Sequence, residues 1–271
     1  MRASFGLLLL LLISSSAFAQ SDSAHYRIRP WIDIPVCVGN SVAIFTGLNA
    51  QDQSDPLTAS ELAGLDPDRV PFFDRGALHI DPTGQDASLT SSDHFLNSSA
   101  VAPVLLLIDR RVRREWLPVL TLYVEAATVT GGIQTWGSVA VKRYRPITYI
   151  TSATPDQRTD ARNIRSFYSG HTANAAVASF FIAKVLDDLH PELGNKRWWL
   201  YGAAVVPPAL VGWYRIQGGK HFPSDVVFGA LMGAAAGVLV PHWHRTGRND
   251  RIGLTPVIAP DLLGLHLRVQ W

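Results

Sequence analysis

The sequence predicts an all-α fold, a bundle of about five core helices, with an irregular region before it and a short hairpin after it. Of the 271 residues 47% are hydrophobic and 17% are charged, less charge than the quarter usual in a soluble domain, so a large apolar surface must be covered. Five apolar segments of helical length follow one another from His94 onward. Strand-like alternation is confined to the C-terminal end.

In chain order, Arg2, the apolar run Phe5 to Ile13 and the small residues ending at Ala19 read as an export signal, residues 1–19, cleaved after Ala19. A single cysteine, Cys37, excludes an internal disulfide and reads as a small buried apolar residue. Residues His25 to Asn49 read as a helix or hydrophobic arm. From Gln51 to Asp93 the chain is rich in Asp, Pro, Gly and Ser and predicts a surface excursion with one short helix near Ala59 to Leu65. The bundle segments are His94–Ile108, Trp116–Val141 interrupted at Gly131-Gly132, Ser169–Leu189, Trp198–Tyr214 kinked at Pro207-Pro208, and Ser224–Val240. Runs at Thr255–Ile258 and Leu263–Val269 predict a terminal hairpin. The organisation expected is a signal peptide 1–19, an N-terminal region 20–93, a helical domain 94–243 and a tail 244–271.

A net charge of +2, with no basic run interleaved with aromatics, excludes a nucleic-acid partner. Local clusters point instead to small anions. In Arg215-Ile-Gln-Gly-Gly-Lys-His221-Phe-Pro-Ser-Asp225, Pro223 and Ser224 signal a helix start, so Asp225 in the first turn can reach back to orient His221 beside the positive helix end. A second histidine, His171, lies in the first turn of a helix capped by Ser169, with Gly170 opening the backbone to a ligand. Two such histidines suit a displacement at phosphorus, one attacking and one protonating the leaving oxygen. In Lys142-Arg143-Tyr144-Arg145-Pro146, the proline turns Arg145 out of helical geometry and aims its fork. No metal cluster is expected, because His242 and His244 flank Trp243 without carboxylates nearby in sequence.

These three pieces, in this order, resemble the signature K-x6-R-P, P-S-G-H, S-R-x5-H-x3-D of the type-2 phosphatidic acid phosphatase and vanadium haloperoxidase superfamily. The resemblance covers roughly Phe95 to Trp243. It implies that His221 is the nucleophile forming a phosphohistidine, oriented by Asp225, and that His171 protonates the leaving alkoxide and then activates water. Arg145, Arg215, Ser169 and the Gly170 backbone would hold the phosphate, with no metal or other cofactor required. Ser138 stands where the signature has its lysine, Tyr168 replaces the proline and Tyr214 the serine. Lys142, four residues from Ser138 on one helix face, is the candidate to restore the missing charge.

The resemblance spans membrane lipid phosphatases and soluble exported acid phosphatases. Arg110 to Arg114, Lys196-Arg197 and Arg245 with Arg248 mark alternate turns, which predicts a membrane-embedded enzyme with these turns in the cytoplasm and the site facing the periplasm or exterior. With cleavage after Ala19, that orientation requires the His25–Asn49 segment to lie against the bundle without crossing. The expected substrate is a phosphate ester, of a lipid in the first instance. A soluble acid phosphatase, a haloperoxidase holding vanadate, and a catalytically weak phospholipid-binding relative are the alternatives.

Overall fold

The computed structural model describes residues 24–246 and the backbone of 252–259 and 262–269, so the expected export signal at 1–19 lies outside the described residues. The long helices are α1 (Pro30–Asp52), α2 (Gln85–Val101), α3 (Trp116–Ala140), α4 (Gly170–Leu189), α5 (Arg197–Ala204), α6 (Val206–Gln217) and α7 (Pro223–Trp243). Strands β1 (Ile252–Ala259) and β2 (Leu262–Val269) form the expected hairpin, paired antiparallel from Ile252↔Val269 to Ala259↔Leu262.

The helix boundaries follow local chemistry. Pro207 and Pro208 cannot continue the i→i−4 ladder, and the segment breaks at Val205 into α5 and α6. Gly131 and Gly132, by contrast, leave α3 unbroken. A Cβ at Gly131 would meet Ile44, and one at Gly132 would meet Asn40, so the pair lets α1 lie close against α3. Contacts from Gly132–Asn40 to Gln51–Ser138 show α1 and α3 running parallel, and α1 extends along the length of α3. The N-terminal arm thus lies against the bundle, as expected, and along α3 it has the length to cross with it. Each of α1, α3 and α7 is long and apolar enough to span a bilayer.

Helix α4 is the axis of the bundle, with α2, α3, α5, α6 and α7 all packed on it. Its Ala173, Ala176 and Val177 face Gly229, Gly233 and Gly237 of α7, spaced one helical turn apart. A Cβ at Gly233 would stand 2.0 Å from the Ala173 carbonyl oxygen, so backbone meets backbone there. Leu122 and Phe181 fill the core beside this seam.

Large apolar side chains ring the outside, among them Phe45, Leu48, Leu120, Leu210, Val227 and Leu231, all exposed. Water does not tolerate such a belt, and a bilayer does. Exposed Trp31, Trp116, Trp198, Trp199 and Trp243 lie at one end, and exposed Trp136 and Trp213 near the other, as interfacial tryptophans do. Trp116 and Trp136 are separated by about 30 Å of helix, the thickness of a hydrocarbon core. The molecule is a membrane-embedded helical bundle.

Residues 25–27 meet the chain just after α7 at the first of these faces. Arg27 N donates to His244 O, Thr246 N to His25 O, and Tyr26 OH to Asp188. Arg110–Arg114 and Arg197 share this end. His244, expected to lack carboxylate neighbours, is here 3.2 Å from Asp33 and 3.8 Å from Glu125, because folding brings together helices far apart in sequence.

Candidate active site

The opposite end of the bundle carries the three motif pieces. Residues 143–145 pair with 163–166 through Arg143 N to Ile164 O (3.0 Å), Arg145 N to Asn163 O (2.7 Å) and Ser166 N to Arg143 O (2.9 Å). Ser169 N donates to Asp225 O at 3.1 Å, tying the start of α4 to the first turn of α7. Gly219, at φ +64°, makes the turn before His221, and its carbonyl takes Ile147 N at 3.1 Å, docking the Arg145-Pro146 turn on the histidine loop.

A cavity of about 170 Å³ lies between these pieces, lined by both histidines, Gly170, Arg145, Arg162, Arg165 and Arg215. Arg145, Arg165 and Arg215 each have a buried Nε with no hydrogen-bond partner. Desolvation and the neighbouring Arg215 pull Arg145 down to about 9. Burial, then Arg145, pulls Lys220 down to about 8. Buried donors of one sign with unsatisfied valence are an arrangement that an anion completes.

His221 is fully enclosed, and its Nδ1 is 2.6 Å from the Ser166 carbonyl, which requires a proton on Nδ1 and leaves the Nε2 lone pair on the other side of the ring. Burial and the adjacent Arg215 and Arg145 hold it well below the usual histidine range, in the neutral form that attacks. The direct contact expected from Asp225 is not formed, its Oδ2 being 4.0 Å from Nδ1. That carboxylate accepts instead from Ser166 Oγ (2.6 Å), Phe222 N (2.9 Å) and Arg143 Nη1. Asp225 therefore reaches the ring through Ser166, the residue whose carbonyl holds it.

Arg143 does not enter the cavity. It bridges Asp225 and Asp74 and lies 4.4 Å over the Phe222 ring. Asp74 is fully buried and accepts from Ser224 N (2.9 Å) and Ser224 Oγ (2.7 Å), so a carboxylate from the supposed surface excursion caps α7.

The other expectations divide. Ser138 does line the cavity, its hydroxyl bonded to Gln51 Nε2 at 2.7 Å. Lys142 does not. It lines an adjoining, larger cavity with Gln53, Asp55 and Glu61, which shares Ser138 and Arg165 with the first, because the chain leaves helical geometry at Val141. The Ser169 side chain turns to Thr172, capping α4, and is absent from the cavity wall. Gly170 lines the wall, but the space over its Cα is filled by Gln134, whose Nε2 donates to Tyr168 O.

Sequence reasoning missed Arg162, Arg165, Gln134 and Asp93. The first two had a signal, a cluster of Arg158, Arg162 and Arg165 just upstream of Ser169-Gly170-His171. Asp93 had none. It sits on α2, outside the expected helical domain, with Oδ1 3.2 Å from His171 Nε2 and 3.8 Å from Arg215 Nη1.

A neutral buried imidazole, a second histidine and a clamp of guanidiniums define the equipment for phosphoryl transfer. Residues 119–248 match the PAP2 superfamily. The chain is 25% identical over 255 residues to a lipid A 1-phosphatase of Porphyromonas gingivalis, covering 88% of this chain and 50% of that protein. It thus spans about half the length of the curated relative it matches. It also aligns with the crystal structure of a transmembrane PAP2-type phosphatidylglycerolphosphate phosphatase from Bacillus subtilis, at 18% identity and a TM-score of 0.42, over 89% of this chain and 94% of that one.

Proposed function

We propose that this protein is a lipid phosphatase that hydrolyses phosphate monoesters or pyrophosphates through a phosphohistidine, on the outer face of the membrane. The observation that carries this reading is the set of orphan guanidinium donors on Arg145, Arg165 and Arg215 around a cavity that also holds His221.

His221 Nε2 attacks phosphorus, and the P–O bond to the leaving group breaks. His171 delivers a proton to the departing alkoxide. It then takes one from the water that cleaves the P–N bond, returning neutral His221 and inorganic phosphate. Arg145, Arg162, Arg165 and Arg215 neutralise the three equatorial oxygens as the transition state forms. Gly170 N-H, at the start of α4, adds the positive end of a helix.

A lipid substrate is supported by the position of the cavity. Exposed Trp136 and Trp213 lie within a turn of Ser138 and Arg215, so the phosphate would sit at headgroup depth. The Porphyromonas gingivalis relative makes lipid A 1-phosphate the first substrate to test. The outer-face assignment rests on the basic residues Arg110 to Arg114, Arg197 and Arg245 at the other end. Ser138 in place of lysine does not favour a non-catalytic relative, because Arg165 lines the same cavity with its Nε unpaired, although its Nη2 is held by Ala50 O and Ser54 and Arg162 is paired with Asp160.

In detergent-purified protein, His221→Ala should abolish release of phosphate, and acid-quenched wild type should carry acid-labile phosphate that the variant lacks. Turnover by His221→Ala within tenfold of wild type would overturn the mechanism.

A further inference from the structure

At the end of the bundle away from the cavity, Asp33, Glu125 and His244 converge from α1, α3 and the C-terminus of α7. Their ligand atoms all lie within 4.8 Å of one another. His244 Nε2 is 3.2 Å from Asp33 Oδ1 and 3.8 Å from Glu125 Oε2. The side chains of Asp33 and Glu125 are 1% and 9% exposed. Glu125 Oε2 is aimed into this space and has no hydrogen-bond partner.

The surrounding bonds select the donor atoms. His244 Nδ1 donates to the Val240 carbonyl at 2.8 Å, which fixes the tautomer and turns Nε2 toward the two carboxylates. Asp33 Oδ2 accepts from Arg29 N at 2.6 Å, leaving Oδ1 for the cluster. An imidazole with its remote N-H on a backbone carbonyl is the usual state of a metal-ligating histidine.

Charge decides between the two ways of filling this space. A protonated His244 between two carboxylates leaves a buried trio of net negative charge, and a proton on Glu125 that cancels it still leaves Glu125 Oε2 without a partner. A dication with neutral His244 and both carboxylates is neutral and satisfies that oxygen. Donors about 2.0–2.2 Å from a tetrahedral ion stand about 3.3–3.6 Å apart, so an inward shift of Glu125 brings three donors into range and leaves the fourth position to water. We propose that Asp33, Glu125 and His244 bind a divalent transition cation of the Zn²⁺ type, which clasps α1 to α3 and α7 at this end of the bundle. One imidazole with two carboxylates suits Zn²⁺ better than Mg²⁺ or Ca²⁺, which take oxygen ligands. The site is remote from the phosphate cavity and does not depend on the phosphatase reading.

The test uses the full chain without a polyhistidine tag, stripped with EDTA in detergent and titrated with Zn²⁺, Co²⁺ or Mg²⁺. One Zn²⁺ should bind per chain, raising the unfolding temperature by several degrees, with Mg²⁺ silent. Co²⁺ should develop the visible bands of a four-coordinate site. Glu125→Gln is isosteric, and it and His244→Gln should weaken Zn²⁺ binding at least tenfold. Circular dichroism in EDTA establishes that each variant is folded. Absence of stoichiometric Zn²⁺ and of the Co²⁺ bands in folded wild type would overturn the proposal whatever the variants do. So would undiminished binding by both folded variants, which would put the ion elsewhere.

Discussion

Asp93 Oδ1 lies 3.2 Å from His171 Nε2 and is also 3.8 Å from Arg215 Nη1, so one half-exposed carboxylate touches both the second histidine and an arginine of the clamp. Burial and Arg215 pull His171 down to about 4, and Asp93 opposes them, favouring the protonated form that a general acid needs. Asp93→Asn should therefore lower kcat by roughly 10²-fold on an alkyl phosphate, within the range of one acid–base contribution. An aryl phosphate, whose leaving group needs no proton, should lose much less. Equal losses on both esters would reject a role through His171.

On the proposed reading, the charge missing at Ser138 comes from a different part of the chain. Arg162 and Arg165 line the cavity and Lys142 does not. Arg165→Ala should cost about 10²–10³ in kcat, as for loss of one charge-stabilising donor, whereas Lys142→Ala should stay within about twofold. Steady-state rates on one ester, with vanadate inhibition alongside, check both. A large loss in Lys142→Ala would return that lysine to the clamp.

The pH profile follows from two depressed cations. Burial holds His221 well below the usual histidine range, so it is already neutral and able to attack at neutral pH, and the acid limb of kcat/KM moves below the ordinary histidine value. Lys220, pulled down to about 8, is charged below that pH and loses its charge as pH rises through it, so phosphate attraction should fall there. Lys220→Arg, whose guanidinium stays charged, should move the alkaline limb upward. An alkaline limb that stays in place in Lys220→Arg would exclude Lys220 as its source.

How much of this was legible depended on sequence distance. Arg145, His171 and His221 each sit in a motif whose local turn aims the side chain, so the residues and the helix starts could be read directly. Asp225 was legible as a member of the site but not in its contact, since Arg143, Phe222 N and Ser166 occupy its oxygens and leave the ring to a carbonyl. Asp74 and Asp93 were invisible, because a lone carboxylate in a Pro/Gly-rich stretch has no periodicity to mark it as buried or near a site. The Gly131-Gly132 pair was misread as an interruption because the same glycine signal can mean close helix packing, and only the neighbour α1 distinguishes them.

The seam between α4 and α7 sets the distance between the two histidines. At Gly233 a Cβ would meet the Ala173 carbonyl at 2.0 Å, whereas at Gly202 nothing lies within 4 Å. Gly233→Ala should force the helices apart at a cost of about 1–3 kcal/mol, lowering both the unfolding temperature and the rate. Gly202→Ala should be neutral or stabilising. Equal behaviour of the two variants in thermal unfolding would show that the seam is not close-packed.

The last prediction concerns which side of the membrane the cavity faces. Tyr26, Arg113 and Arg245 share one end of the bundle, and the cavity is at the other, with Asp68 exposed in the segment beside it. Since α1 runs parallel to α3 along its length, a chain released outside by cleavage after Ala19 would put the basic turns outside and the cavity in the cytoplasm. The positive-inside rule gives the reverse. Single cysteines at Asp68 and Arg113, in a Cys37→Ser background, separate these in intact cells treated with a membrane-impermeant maleimide. Labelling of Asp68→Cys alone, with Arg113→Cys reacting only after permeabilisation, is the expected result, and it requires the segment before Tyr26 to start on the cytoplasmic side. Labelling of Arg113→Cys alone would instead support the cleaved, exported start and move the proposed chemistry to the inner face. Equal labelling of both without permeabilisation would mean that the bundle does not span the membrane.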